Sequence, residues 1–180
     1  SDLENDTEAM RTLSTHAINY LYMLDDYLGT EESAINPEDL LRIGTSYPEK
    51  SFELQIYFLT HCIIGASRFY SIKINDTVLG IYTEMLKNVE DIIRENFQEI
   101  SLDNKFEFLV CAKMCEYVSS LEKNILSEAD KSLAPDGNFL IDTHNAKAAP
   151  DERNDFVGSE HRNVLYIMSQ TPFHPDDRVV

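Results

Sequence analysis

The sequence FELQIYFLTHCIIGASRFY, residues 52–70, is unusually apolar and decides the fold. Its apolar side chains fall on nearly every face of a helix, and its length without an interrupting turn favours a helix over a strand. A helix that is apolar all round is buried at the centre of a bundle or lies in a dimer interface. Ser46 and Glu49 have the spacing of a capping box, which predicts that this helix begins shortly after them. The stretch therefore predicts an all-α protein.

A first helix is predicted over residues 10–28, where apolar residues recur every three or four positions. This spacing places six of them on one stripe, which we expect to be buried. Asp6 or Thr7 is suited to cap the start of the helix, and Gly29 is suited to end it in the left-handed conformation. The members of the predicted buried stripe are Met10, Leu13, Ala17, Leu21, Leu24 and Leu28.

Two further helices begin at recognisable caps. Asn36 followed by Pro37 predicts the start of a short helix that ends near Gly44. Asn75 predicts the start of a longer helix that ends near Phe97, with one apolar face and one charged face. Its predicted buried stripe consists of Val78, Tyr82, Met85, Val89, Ile92 and Ile93. Its predicted solvated face consists of Glu84, Lys87, Glu90, Asp91 and Arg94.

A fifth helix is predicted to begin at residues 101–103 and to continue as far as Leu133, where Pro135 and Gly137 stop it. Beyond that point the apolar residues retreat into two islands, 139–141 and 164–168. These islands form either a pair of short strands or, for the second, a short helix capped by Ser159. The sequence thus predicts a bundle of about five helices over residues 1–133. Residues 134–180 are predicted to form an irregular, partly flexible C-terminal extension that packs on the bundle or on a partner.

The charge of the chain limits its partners. Asp and Glu number 32 against 15 Lys and Arg, which gives a formal net charge of -17. Such a surface repels nucleic acid and anionic membranes, so neither is expected as a partner. No apolar run reaches the ~20 residues of a membrane-spanning helix, and the first ten residues do not resemble a secretory signal. A cytoplasmic location is therefore expected.

The three cysteines are expected to pack in the core as free thiols. Cys62, Cys111 and Cys115 all lie in apolar segments, and their number is odd. Cys111 and Cys115 share a helical face, and with His61 and Cys62 they could supply four zinc ligands. Their neighbours are apolar and provide no acids to orient such ligands, so the sequence favours core packing over a metal site.

Two other groups of polar residues are candidates for chemistry. Asp25, Asp26 and Glu53, together with Tyr20 and Tyr57, could line a site between helices. The extension also holds three histidines near acids, the composition of a metal or acid–base site, although their spacing matches no known motif. These residues are His144, His161 and His174 with Asp142, Glu160 and Asp176.

The leading hypothesis is a non-catalytic helical interaction module of the inhibitor, immunity or adaptor type. Its acidic surface would steer a basic partner protein, and its C-terminal extension would supply contacts. No phosphate-binding loop or catalytic motif is present, so the sequence argues against an enzyme and predicts no cofactor. The candidate partner-binding residues are Phe139, Ile141, Val164, Tyr166, Met168, Phe173 and His174.

Two alternatives stand beside this hypothesis. The first is a helical enzyme or small-molecule binder that uses the carboxylate and tyrosine side chains between helices. The second is a homodimeric structural component joined through the apolar helix at residues 52–70.

Overall fold

Seven α-helices make up the regular structure of the residues that the computed structural model describes, namely 13–29, 35–48, 51–134, 137, 140–141 and 159–173. Within these ranges no strand forms, and Leu133 and Leu140 make an isolated antiparallel bridge. The all-α prediction is confirmed, with two helices more than the five expected. The helices are α1 (Thr15–Leu28), α2 (Pro37–Gly44), α3 (Phe52–Ala66), α4 (Leu79–Glu95), α5 (Leu102–Met114), α6 (Glu122–Lys131) and α7 (Glu160–Gln170).

Helix α3 lies at the centre of the bundle and contacts α1, α2, α4 and α5. Its four neighbours cover most of its surface, which explains why apolar residues occur on nearly every face of residues 52–70. The central position is therefore confirmed, and the composition of this helix is accounted for within one chain. Its buried residues are Ile56, Phe58, Leu59, Thr60, Cys62, Ile63, Ile64 and Gly65.

Two glycines allow neighbouring helices to approach α3 closely. A Cβ atom on Gly44, the last residue of α2, would lie 2.3 Å from Leu59 Cδ2 on α3. A Cβ atom on Gly65 would lie 2.2 Å from the Tyr22 ring of α1. Neither contact is sterically possible, so at both positions only glycine permits the observed packing.

Some of the predicted helix caps are observed and others are not. Asn36 caps α2 by accepting a hydrogen bond from the Glu38 backbone N–H at 3.0 Å, and Gly29 ends α1 with a φ of 59°. Ser46 does not cap α3, because its hydroxyl donates to the Ile43 carbonyl at 2.7 Å and α3 begins only at Phe52. Asp6, Thr7, Met10 and Glu49 lie outside the described residues.

The predicted fifth helix is two helices. Helix α5 ends at Met114, and Glu116 then adopts a φ of 53°, which turns the chain. Glu90 of α4 fixes the connection to α6, since its carboxylate accepts the Ser120 backbone N–H at 2.9 Å and the Tyr117 hydroxyl at 2.5 Å. Burial raises the pKa of Glu90, but the hydrogen bonds from Ser120 and Tyr117 outweigh burial and lower it. Its predicted position on a solvated face is wrong, because Glu90 is 3% exposed.

The second apolar island of the extension lies within α7, so the strand-pair alternative is wrong and the helix alternative is confirmed. Ser159 lies at the predicted start of this helix, but its side chain makes no capping hydrogen bond. This helix packs on α5, with the Tyr166 ring 5.4 Å from the Phe106 ring. The Lys113 ammonium group donates to carbonyl oxygens at the end of α7, including that of Thr171 at 2.6 Å. A positive charge beside these carbonyl oxygens stabilises the C-terminal end of α7.

The close packing of α2 on α3 predicts that Gly44→Ala lowers the free energy of unfolding by about 1–3 kcal/mol, because the added methyl group overlaps the Leu59 side chain. Urea denaturation followed by circular dichroism measures this change. Gly80→Ala in α4 is the matched control, since its Cβ atom meets nothing within 4 Å. It is expected to leave stability unchanged or to raise it by up to about 1 kcal/mol. Equal losses in both variants would contradict the packing argument.

Candidate functional site

The outward side of α1 carries a row of exposed apolar residues, and the exposed Leu13 lies just before the helix. Tyr27 is 86% exposed and Tyr20 is 65% exposed. We call this row the outer face of α1. Its members are Leu13, Tyr20, Met23, Leu24, Tyr27 and Leu28.

The opposite side of α1 packs against the core through Ala17, Ile18, Leu21 and Tyr22. The predicted buried stripe is therefore wrong at Leu13, Leu24 and Leu28, and right at Ala17 and Leu21. Helix α1 is apolar on two sides, and periodicity alone did not show which side is buried. The predicted stripe therefore mixed residues of both sides.

The outer face of α1 contains no Asp, Glu, Lys or Arg. The charged residues of this helix are Asp25 and Asp26, at positions that point away from the outer face, given a rotation of about 100° per residue. Single exposed apolar residues are common on soluble proteins, but several large ones on one side of a helix are typical of an interaction surface. These six residues are half of the twelve large apolar side chains that are exposed among the described residues.

Beside the inner side of α1 lies a cavity of about 600 Å³, which we call the inter-helix cavity. Tyr22 and Tyr82 form one part of its wall, and their hydroxyl groups are hydrogen-bonded at 2.9 Å. Burial raises the pKa of both phenols, so both are neutral. The polar lining also includes Asp25, Asp26 and Arg68, and most of the remaining lining is apolar. Its apolar residues include Ile35, Pro37, Ala66, Ile72, Ile74 and Val78.

The chain turns sharply just after α3, beside this cavity. Arg68, Phe69 and Tyr70 have φ angles of 47°, 53° and 70°, a left-handed turn made of three non-glycine residues. Each such residue costs about 1–2 kcal/mol relative to the right-handed conformation. The turn directs the Arg68 guanidinium back to α1, where its Nε lies 3.0 Å from Asp26 Oδ1. Both side chains of this pair are more than half exposed, so the pair orients the groups and adds little stability.

A second polar group lies in the core, between α3, α5 and α7. Glu107 of α5 accepts a hydrogen bond from the Thr60 hydroxyl, and its Oε1 lies 3.8 Å from His61 Nε2. His61 Nδ1 is 2.9 Å from Asn19 Oδ1 of α1. Burial, together with the nearby His161 and His16, lowers the pKa of His61 to about 4, so the ring is neutral at pH 7. Burial raises the pKa of Glu107, although the Thr60 hydrogen bond opposes this effect.

The same group continues to α7 through Asp103. This carboxylate pairs with Arg162, and its Oδ1 lies 3.5 Å from His161 Nδ1. Burial raises the pKa of Asp103, but the hydrogen bond from His161 and the charge of Arg162 outweigh burial and lower it. These contacts join α7 to α5, and none of these residues lines the inter-helix cavity. We call His61, Asp103, Glu107, His161 and Arg162 the core polar cluster.

The cysteines are buried, and all three are free thiols. Cys111 Sγ lies 3.7 Å from the Thr60 carbonyl oxygen, and burial raises the pKa of both Cys62 and Cys111, so these residues remain protonated. Across the part of the chain that the structure describes, no three His, Cys, Asp or Glu side chains converge as metal ligands do.

The structure separates the residues that were predicted for a site between helices. Asp25 and Asp26 line the inter-helix cavity. Tyr20 lies on the outer face of α1, Glu53 is exposed near the start of α3, and Tyr57 lies beside His61 with ring centroids 6.4 Å apart.

The candidate partner-binding residues are also divided. Tyr166, Met168 and Phe173 are partly buried against the core, and Ile141 is partly buried. Val164 is exposed and lies one helical turn from the exposed Ile167. Phe139 and His174 lie outside the described residues, as do His144, Asp142 and Asp176.

Sequence reasoning missed the outer face of α1, Arg68 and the tyrosine pair. The exposed row could have been found, because every residue of α1 except Asp25 and Asp26 is uncharged and apolar residues occur on both sides of the helix. The tyrosine pair joins residues 60 positions apart, and a local pattern cannot reveal such a contact.

No protein-family model matches the chain, and no characterised protein or solved structure shows significant similarity to it. Among the described helices, none is long and apolar enough to cross a membrane.

The lowered pKa of His61 predicts that the fold loses stability on acidification from pH 6.5 to pH 4. In this range the unfolded chain binds a proton at His61 and the folded chain does not, so the free energy of unfolding rises with pH. The full difference is at most about 3 kcal/mol. His161 acts in the opposite sense, because its raised pKa favours the fold at low pH, but its side chain is largely exposed.

Urea denaturation at several pH values tests this effect. In His61→Gln the loss of stability between pH 6.5 and pH 4 should be smaller than in the wild type. His16→Gln, at an exposed position of α1, removes only the smallest of the three causes of the lowered His61 pKa and should reduce the pH dependence much less than His61→Gln does. Parallel curves for the wild type and His61→Gln would contradict the assignment.

Proposed function

We propose that this protein is a non-catalytic interaction module that binds a basic partner protein through the outer face of α1. The observation that carries the proposal is the row of six exposed apolar residues without a formal charge. Apolar surface of this extent is stabilised when a partner removes it from water, by about 25 cal/mol for each Å² that is buried.

The shape of the surface favours a helix as the binding element of the partner. Tyr20, Leu24 and Tyr27 are four and three positions apart and project from one side of a straight helix. The helix has 14 residues and is therefore about 21 Å long. An amphipathic helix of the partner can pack along this row with its apolar face inward.

The charge of the chain favours a basic partner over a second copy. Two copies with a net charge of -17 each repel one another as they approach, whereas a basic protein is attracted. Apolar contacts then supply most of the affinity, and charge supplies the choice of partner and a faster association.

The C-terminal extension has a smaller part in this proposal than the sequence suggested. Val164 and Ile167 form a second, smaller exposed apolar pair on α7. Tyr166 and Met168 serve the packing of α7 on the bundle. We retain Val164 as a secondary contact for the partner.

A synthetic 18-residue amphipathic helix of Leu and Lys is a suitable probe for the outer face of α1. Fluorescence anisotropy should show that it binds the wild-type protein at about 0.15 M salt, where charges are screened beyond about 8 Å. The triple variant Tyr20→Gln, Leu24→Gln and Tyr27→Gln should bind it at least about tenfold more weakly, a loss of ~1.4 kcal/mol or more. Circular dichroism should show the same helix content in both proteins.

The control variant is Val118→Ser, which should bind as the wild type does. Among the described residues outside the outer face of α1, Val118 is the most exposed large apolar side chain, at 89% exposure. A peptide of Leu and Glu with the same pattern should bind poorly. The proposal fails if the triple variant binds the basic peptide normally or if the two peptides bind equally. It also fails if sedimentation shows a wild-type dimer that the triple variant dissociates, because a second copy then occupies the face.

A further inference from the structure

We propose that Tyr20 and Tyr27 select arginine, so that the partner of the outer face of α1 is a helix with two arginines two turns apart beside its apolar side. In each contact an arginine guanidinium lies over the face of one tyrosine ring, which is a cation–π interaction. This inference rests on the proposed function and deepens it, because it names the partner residues that the surface recognises.

The two tyrosines project from one side of α1 and are separated by two helical turns. They are seven positions apart, so their directions differ by only about 20° and their Cα atoms lie about 10 Å apart along the helix axis. Leu24 lies between them on the same side. Positions i and i+7 of a partner helix have the same separation, so one guanidinium can reach each ring while apolar residues between them pack on Leu24.

The faces of both rings are available for such contacts. Tyr27 is 86% exposed and Tyr20 is 65% exposed. Among the described residues, neither ring makes an aromatic or cation–π contact. In the core of the same chain, by contrast, the Lys105 ammonium group lies 4.1 Å from the centroid of the Phe97 ring. The rings of the outer face therefore offer a surface that a cation of the partner can use.

The composition of the outer face favours arginine as this cation. The six residues of the face include no carboxylate, so an arginine above them has ring faces to contact instead of an acid. A guanidinium is planar, stacks on aromatic faces and is more weakly hydrated than the ammonium group of lysine. Its three methylene groups can also pack on Met23 or Leu24. The net charge of -17 attracts such a partner before these contacts form.

The C-terminal end of α1 adds to the attraction at Tyr27. This residue lies in the last turn of the helix, where the backbone carbonyl groups carry a partial negative charge. The last turn contains no basic residue, and Arg68, which approaches it from the segment after α3, is engaged by Asp26 at 3.0 Å. A guanidinium over the Tyr27 ring is therefore stabilised by the ring and by the end of the helix.

Three matched peptides test the selection, each built on the 18-residue helix of Leu and Lys. The first carries two arginines seven positions apart beside its apolar side. The second carries citrulline, the neutral analogue of arginine, at the same two positions, and the third carries the two arginines on the side opposite the leucines. Fluorescence anisotropy at about 0.15 M salt should show that the wild-type protein binds the first peptide at least about fivefold more tightly than either of the others.

Two double variants separate the ring faces from apolar surface and from the hydroxyl groups. Tyr20→Leu with Tyr27→Leu keeps an apolar side chain and the net charge but removes both rings, so it should bind all three peptides with about equal affinity. Tyr20→Phe with Tyr27→Phe keeps the ring faces and should retain the preference for the first peptide. Val118→Ser, away from the outer face of α1, is the control and should retain it as well.

Equal binding of the arginine and citrulline peptides to the wild-type protein would overturn the inference and leave the proposed function standing, since both peptides would still bind the face. A preference that persists in the leucine double variant would also overturn it, because overall charge would then be the cause. Loss of the preference in the phenylalanine double variant would assign the selection to the hydroxyl groups instead of the ring faces. Failure of all three peptides to bind the wild-type protein would overturn the proposed function and this inference with it.

Discussion

Burial of most of the surface of α3 is the constraint on which the rest of the structure depends. This helix cannot lie at a surface, because the apolar residues from Ile56 to Gly65 face in several directions. Four helices must therefore surround it, and two of them approach so closely that Gly44 and Gly65 have no room for a Cβ atom. The cavity beside α1 also depends on this arrangement. Gly65 lets the Tyr22 ring lie against α3, where the Tyr22 hydroxyl is hydrogen-bonded to that of Tyr82 at the cavity wall.

Buried charged groups specify how the other helices dock on this centre. Asp103 pairs with Arg162 between α5 and α7, and Lys105 of α5 donates to Glu128 of α6 at 2.6 Å. Glu90 of α4 holds the connection between α5 and α6. A buried charge without its partner is strongly destabilising, so each pair permits one arrangement of two elements and disfavours the others. Apolar contacts stabilise the fold, and these pairs select its geometry.

The elements that the sequence predicted well are those in which one face is clearly different from the other. In α4 the buried side and most of the charged side follow from periodicity, with Glu90 as the exception, because its partners Tyr117 and Ser120 lie about 30 positions away. The break after Met114 has neither glycine nor proline to mark it and depends on the conformation of Glu116. The sequence identified Asp25 and Asp26 as candidate site residues. It could not identify the cavity that they line, because the walls come from four separate segments and no local sequence pattern connects them.

The two apolar sides of α1 explain why its orientation could not be predicted. Spacings of three and four residues fit the outer face as well as the inner face, and the inner face includes Ala17 and Tyr22, which differ from the usual large aliphatic residues. The distinction comes from packing, because only the side that contains Tyr22 can approach Gly65.

An exposed apolar row of this kind favours self-association, and the chain opposes this through its charge. Its excess of acids gives every copy the same sign, so copies repel one another at distances where apolar contact has not yet formed. The repulsion does not act on a basic molecule. In the function that we propose, the acidic excess and the outer face of α1 are therefore complementary, since the first keeps the second available to a partner of opposite charge.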